Sequence, residues 1–287
     1  MGRAACFKAP TDVRFAARVA YDGFSFKGFQ TQKPGTPTVQ GTVLEALKLK
    51  LGPQTTIAGA SRTDVGVHAR GNCVHFDVPL EKLSQISDTT KFEHQLNRML
   101  PDSVRVFDLS AAPAGNKEEV SLGKPFHATS SSIGKKYSYS FCTNPYVDPL
   151  RRRYFAHFFG ELDQDLLHKS LQQFTGTHDF LSFANNVPRT KLFYESTGQV
   201  LDTIRTVDSV ELHEVDKGYY QIDFRIQSAL YRMIRNIVGT SVRVAEGKME
   251  LSQLQELLQN APGREQNPAR SAPPEGLVLE HVYYDNY

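Results

Sequence analysis

Between Arg14 and Val78 the spacing of apolar side chains changes period twice. Residues 14–20 alternate Phe15, Ala17 and Val19 on one face, 39–51 carry Val43, Leu44, Leu47 and Leu51 at helical intervals, and 72–78 return to alternation with Val74, Phe76 and Val78. A strand, a helix and a strand in that order exclude an all-helical chain and a fold made of hairpins alone. Tyr21-Asp22-Gly23 is a turn signal closing the first strand. The pattern predicts a further helix over 92–100, stopped by Pro101, and a strand over 103–109.

The second half repeats this plan. Strands are predicted over 126–132, 136–143, 198–214 and 219–227, and a helix over 163–174 with Asp163 as its cap. Residues 230–246 give the strongest helical pattern, with Leu230, Ile234, Ile237, Val238 and Ser241 as the inward stripe and Arg232, Arg235 and Arg243 projecting elsewhere. Residues 111–124 are rich in Ala, Pro, Gly and charge without any period. The expected organisation is therefore an N-terminal half, 1–110, a linker, 111–124, and a C-terminal half, 125–287. The expected fold class is α+β, two similar sheet-plus-helix halves with adjoining antiparallel or mixed sheets and a central cleft. At 287 residues such a chain buries about three quarters of its unfolded surface.

Charge and cysteine content narrow the function classes. Thirty-three Lys and Arg against 31 Asp and Glu give a net charge of +2, too balanced to argue for nucleic acid by itself. Locally, Arg225, Arg232, Arg235 and Arg243 are the charged residues from Phe224 to Ala245, and Lys135, Lys136 and Arg151-Arg152-Arg153 form a second basic group. Such groups neutralise phosphates or simply solvate a surface, and short runs more often do the latter. Cys6, Cys73 and Cys142 are too few and too scattered for a disulfide framework or a zinc site, and strand alternation accounts for Cys73-x-His75. No Walker loop or dinucleotide fingerprint is present, so neither metal nor cofactor is expected. No run nears the roughly 20 apolar residues of a membrane span, and residues 1–10 lack a signal-peptide core. A soluble, intracellular protein is expected, cytoplasmic first, with nucleus or organelle left open.

The chemistry-bearing stretch is residues 59–69, Gly-Ala-Ser-Arg-Thr-Asp-Val-Gly-Val-His-Ala. It sets Asp64 and Arg62 in a glycine-bounded turn between the β-prone segments 55–58 and 72–78, and loops held between strands commonly carry chemistry. Capping of a short helix over 65–69 by Asp64 explains the same residues about equally well.

Residues 62–69 resemble the signature of the TruA family of tRNA pseudouridine synthases, usually Gly-Arg-Thr-Asp-Ala-Gly-Val-His-Ala, with Ser61 here in place of Gly and Val65 in place of Ala. Tyr21-Asp22-Gly23-Phe24-x-Phe26-x-Gly28-Phe29-Gln30 is similar to the opening motif, Phe29 standing where Trp is common. Further likenesses are Lys136-Tyr137-Ser138-Tyr139, Gly176-Thr177-His178-Asp179-Phe180, Met233-Ile234-Arg235-Asn236-Ile237-Val238-Gly239, and Ala272-Pro273-Pro274-Glu275-Gly276-Leu277 with Val282-Tyr283-Tyr284. Six motifs in family order span about residues 14–285.

The resemblance implies an isomerase that turns uridine into pseudouridine in the anticodon stem and loop of tRNA, around positions 38 to 40, usually as a homodimer. It implies Asp64 as nucleophile, Arg235 as its ion-pair partner, and Tyr137 stacked on a flipped base with a possible part in proton transfer. Arg62 is implied to enter the RNA beside the flipped base, and the cleft becomes an RNA-binding one. Lys135, Lys136 and Arg151 to Arg153 become candidate phosphate contacts. Without the motifs, Tyr137 reads as a core aromatic, Arg235 as a structural arginine and Arg62 as a salt bridge to Asp64. Two other readings compete: a catalytically inactive RNA-binding or chaperone protein on the same fold, and a hydrolase, for which the nearest second carboxylate, Asp77, is explained by its strand. The polar loops 185–196 and 262–275 are long enough to shape RNA choice but carry no readable code.

Overall fold

The computed structural model describes residues 12–187, 202–285 and 287. The amino-terminal stretch with Cys6, the loop 185–196 beyond 187, and the first residues of the expected strand 198–214 lie outside the described residues. The chain forms two compact units, one running to Val65 and continuing through Ala69–Ile133 and Val282–Tyr287, the other comprising Gly66–His68 and Gly134–His281. Both combine strands with helices, the α+β class expected from the sequence.

In the first unit the elements are β1 (Asp12–Tyr21), α1 (Val39–Leu51), β2 (Ile57–Gly59), β3 (His68–Pro79), α2 (Thr89–Asn97), β4 (Val104–Ala111) and α3 (Lys117–Ser121). The strands run in the order β4-β1-β3, antiparallel, with β2 on β3. Phe15 lies opposite Phe76 in register with ring centroids 6.2 Å apart, and Arg14 lies opposite Asp77, its Nε and Nη2 donating to the two carboxylate oxygens at 2.6 and 2.7 Å. That fork explains Asp77 structurally. Helix α1 starts where the Thr38 hydroxyl accepts from the Gly41 amide and buries Val39, Val43, Ala46, Leu47 and Leu51.

Three expectations in this region change. Helix α2 begins at Thr89, before residue 92, because the Asp88 carboxylate accepts from the Lys91 amide. The stretch set aside as a linker holds α3, closed by a reciprocal capping box between Asn116 and Glu119. Residues 126–132 form no strand: the His127 amide donates to the Ser131 hydroxyl at 2.7 Å and the Ser131 amide to the His127 carbonyl at 2.8 Å, a local turn that competes with any ladder.

His75 sits inside this unit at 5% exposure, its ring 4.6 Å from that of His127. Its Nδ1 accepts from the Ala128 amide at 3.1 Å, so the neutral ring carries its proton on Nε2. Burial first, then the charges of Arg14 and His127, lower its pKa to about 4. The unfolded chain binds this proton below about pH 6.5 and the folded chain does not until about pH 4, so stability is lost as pH falls across that window. A loss of about 2–3 kcal/mol is expected, measured by urea unfolding between pH 7 and 4. His75→Gln should flatten that slope; an unchanged slope would place the acid sensitivity elsewhere.

The second unit contains β5 (Gly134–Cys142), β6 (Ala156–His157), α4 (Gln164–Gln172), β7 (Gly176–Asp179), β8 (Ile204–Asp216), β9 (Tyr219–Ile226), α5 (Met233–Ala245), α6 (Leu251–Asn260) and most of β10 (Leu277–Tyr283). Strand order is β10-β5-β9-β8-β7, with β6 parallel on β5. The β8–β9 hairpin turns at Gly218, φ +71°, where the Asn144 side chain also donates to the Lys217 carbonyl at 3.0 Å. Asp163 caps α4 as expected, its carboxylate accepting from Leu166 at 2.9 Å.

Helix α5 starts at Met233 rather than Leu230, because Arg232 at its N-cap takes the left-handed conformation, φ 61°. It is buried on nearly all sides, Arg235 and Asn236 included, so the expected polar outer face is covered. Helix α6 was not anticipated, although Leu251, Leu254, Leu257 and Leu258 have its spacing; Glu250 and Gln253 form its capping box. Among the described residues no helix is long and apolar enough to cross a membrane.

Candidate active site

Asp64 lies in an irregular segment between β2 and β3 and caps no helix. The segment is tied down on either side of Arg62. The Ala60 amide donates to the Cys73 carbonyl at 2.8 Å, and the Asn72 side chain grips Ser61 twice, Oδ1 accepting from its amide at 3.2 Å and Nδ2 donating to its carbonyl at 3.0 Å. Thr63 is held at its carbonyl by the Phe29 amide, 3.1 Å, and at its hydroxyl by that of Tyr21, 2.7 Å. Gly28, φ +96°, passes so close that an added Cβ would lie 3.1 Å from the Thr63 carbonyl oxygen. Ser61 and Thr63 are buried in consequence, whereas Arg62 is exposed and Asp64 half-buried. Ser61 is not among the residues in the left-handed region, so a side chain in the family's usual glycine position is accommodated without strain.

Beyond Val65, the three residues Gly66–His68 belong to the second unit. Gly66, φ +79°, turns against the Pro274 side chain, and the buried His68 ring lies 5.0 Å from that of Tyr154.

In the second unit Tyr137 sits on β5 opposite Phe224 and is 5% exposed. Lys135 shares its face and is buried, which lowers its ammonium pKa to about 8. Lys136 points to the other face, its Nζ 3.0 Å from Asp223. Arg151 pairs with Asp216 at 2.9 Å and lies 4.6 Å over the Tyr219 ring, so this member of the basic run braces the β8–β9 end.

Arg235 is buried, its Nε donating to the Ala272 carbonyl at 2.7 Å, while the Ala272 amide donates to the Arg235 carbonyl at 2.9 Å. The next residue, Asn236, donates to the carbonyl of Phe183 at 2.7 Å and to the Asn185 side chain at 2.8 Å. The segment 267–276 is thus latched along α5 and reaches β5, where the Tyr139 hydroxyl donates to the Pro273 carbonyl at 2.9 Å. The structure therefore groups Asp64 with Arg62 in one unit, and Tyr137, Lys135, Lys136 and Arg235 in the other.

A family described as tRNA pseudouridine synthase matches residues 171–285. The relatives extend over nearly the whole chain. The tRNA pseudouridine synthase A 1 of Protochlamydia amoebophila (strain UWE25) is 32% identical over 269 residues, covering 93% of this chain and 95% of its own. The tRNA pseudouridine synthase A of Bacillus pumilus (strain SAFR-032) is 34% identical over 271 residues, covering 93% and 98%. The chain belongs to the tRNA pseudouridine synthase A family. The corresponding enzyme of Latilactobacillus sakei subsp. sakei (strain 23K) agrees, 33% identical over 274 residues that cover 94% of this chain and 98% of its own.

In this family member the residues that fix the Asp64 loop went unassigned in the sequence. Tyr21 was visible as part of the opening motif, but its tie to Thr63 spans 42 positions. Asn72 reads as an ordinary polar residue at the head of a strand, although a wholly buried Asn was the available signal. Among the described residues no three His, Cys, Asp or Glu side chains group to hold a metal.

Proposed function

We propose that this synthase isomerises uridine to pseudouridine in the anticodon stem and loop of tRNA, around positions 38 to 40, with Asp64 as nucleophile and the uridine turned out of the RNA. The observation that carries the reading is the anchored loop: the family's Arg-Thr-Asp triplet has its middle residue buried and hydrogen-bonded, with Arg62 exposed and Asp64 half-buried on either side of it.

The reaction breaks the bond from ribose C1′ to uracil N1 and joins C1′ to C5; the C5 hydrogen leaves to solvent and N1 takes a proton, so mass is unchanged. Asp64 attacks C1′ as the base departs or adds to C6 of the base, and either route needs an ionised carboxylate held close to the reacting atom. Arg235 serves as its cation, since a carboxylate removed from water without one becomes protonated. Tyr137 stacks on the turned-out base and assists removal of the C5 proton. Arg62 occupies the space the base vacates, where a planar guanidinium both stacks and hydrogen-bonds. Lys135 and Lys136 contribute positive charge to RNA binding, and the working form is a homodimer.

The test is tritium release from tRNA labelled at uridine C5. Release is expected, with tRNA affinity falling steeply with salt by a log-log slope of roughly 0.7–0.9 per phosphate neutralised. Binding insensitive to salt, or label retained in every tRNA, would remove the proposal.

A further inference from the structure

We infer that Tyr21 and Asn72 are positioning residues for this reaction, setting the path of residues 61–63 and thereby the angle at which Asp64 meets its substrate. The inference depends on Asp64 being the reacting group and adds two residues with no access to substrate themselves: Tyr21 is 4% exposed and Asn72 0%.

The bonding pattern fixes the orientation of the Asn72 amide. The Ser61 amide can donate only to an acceptor, so Asn72 must present Oδ1 to it and Nδ2 to the Ser61 carbonyl. The same Nδ2 donates to the Tyr21 oxygen at 3.4 Å, and the Tyr21 and Thr63 hydroxyls share a hydrogen bond of 2.7 Å. Asn72 and Tyr21 thus act as one clamp, from Ser61 through to Thr63, with exposed Arg62 bridged between. The Phe29 amide holds the Thr63 carbonyl from the other side, and the Phe29 ring lies 6.1 Å from that of Tyr21. Gly59 completes the seat, because an added Cβ there would come within 2.3 Å of the Phe29 ring.

The β1–β3 register slips between Val19 and Tyr21, a local irregularity of the kind that re-aims a side chain beside a site. Tyr21 is the last residue of β1 and Asn72 sits in the first half of β3, so the clamp ties the loop that leads into β3 to the end of the strand paired with it. A core stabiliser would not need to hold the residues on both sides of one exposed arginine. A device that fixes a carboxylate would, since misplacement by about 1 Å can cost on the order of 100-fold in rate.

The experiment compares wild type with Tyr21→Phe, Thr63→Val, the double variant and Thr63→Ser, reading single-turnover tritium release, tRNA affinity and urea unfolding. Tyr21→Phe and Thr63→Val are each expected to lower the rate at saturating tRNA by about 10- to 100-fold, with affinity within about twofold of wild type. Because both remove the same bond, the double variant should be no slower than the slower single, and Thr63→Ser, which keeps the hydroxyl, should stay within about threefold of wild type. A Tyr21→Phe rate within twofold of wild type, or single effects that multiply in the double variant, would overturn the inference while leaving the proposed reaction intact. Amide hydrogen exchange without RNA tests the clamp independently of activity. The Ser61 and Ala60 amides should exchange about tenfold faster in Tyr21→Phe, with β1 and β4 unchanged. Unchanged exchange at those two amides also overturns it, even for a protein found inactive on every tRNA.

Discussion

Asp64→Asn is expected to cut single-turnover tritium release from C5-labelled tRNA by at least about 10,000-fold, to the limit of detection. The substitution keeps size and shape but exchanges an anion for an amide, which neither attacks a sugar carbon nor adds to the base. It spares the described loop anchors, because those bonds run through Ala60, Ser61 and Thr63. Folding and tRNA affinity should therefore stay close to wild type, and this contrast makes the result diagnostic. Loss of rate with binding retained assigns the nucleophile. Release at the wild-type rate would remove Asp64 from the chemistry, and no release by wild type, with tight salt-dependent binding intact, would put the inactive RNA-binding protein in first place. Free uracil among the products would point instead to the hydrolase reading.

What could be read from the sequence follows the range of the interactions concerned. Helix α1 was legible to the residue because its cap, Thr38, and its stop, Gly52, are local signals. Asp64 and Arg62 were legible because motif and turn lie within a few residues. Residues 126–132 were misread since alternation there is matched by a Ser131–His127 turn that periodicity does not register. The burial of Arg235 was missed for another reason: the helix pattern shows one apolar stripe, whereas Arg235 is held from outside the helix, by Ala272 at its guanidinium and its carbonyl. The Tyr21–Asn72 clamp was illegible because its members are separated by 51 positions and meet only once β1 and β3 pair. Local chemistry marks the candidate site, and long-range pairing supplies the bonds that hold its loop.

Gly239→Ala carries the other large expected effect, a loss of about 3 kcal/mol or more and release of the 262–275 segment from α5. A methyl group at Gly239 would lie 2.0 Å from the Arg270 carbonyl oxygen and 3.1 Å from the Ala272 nitrogen, both backbone atoms that cannot rotate away. The segment must move, and with it goes Ala272, which holds Arg235 through both the guanidinium and the main chain. Activity is therefore expected to fall even at temperatures where the variant remains folded. Gly52→Ala is the control for backbone strain alone: its φ of +106° and ψ of 164° strain a side chain, but nothing lies within 4 Å of the added carbon, so it should cost about 1–3 kcal/mol and leave residues 262–275 resistant to cleavage. Urea unfolding reads the stability difference and limited proteolysis reads release of the segment. If Gly239→Ala unfolds at the wild-type midpoint and residues 262–275 resist cleavage, the close approach of this segment to α5 does not hold Arg235 in place. If it is both destabilised and cut there, a half-buried glycine at the middle of the helix is what lets the segment lie over Arg235, the residue proposed as the cation for Asp64.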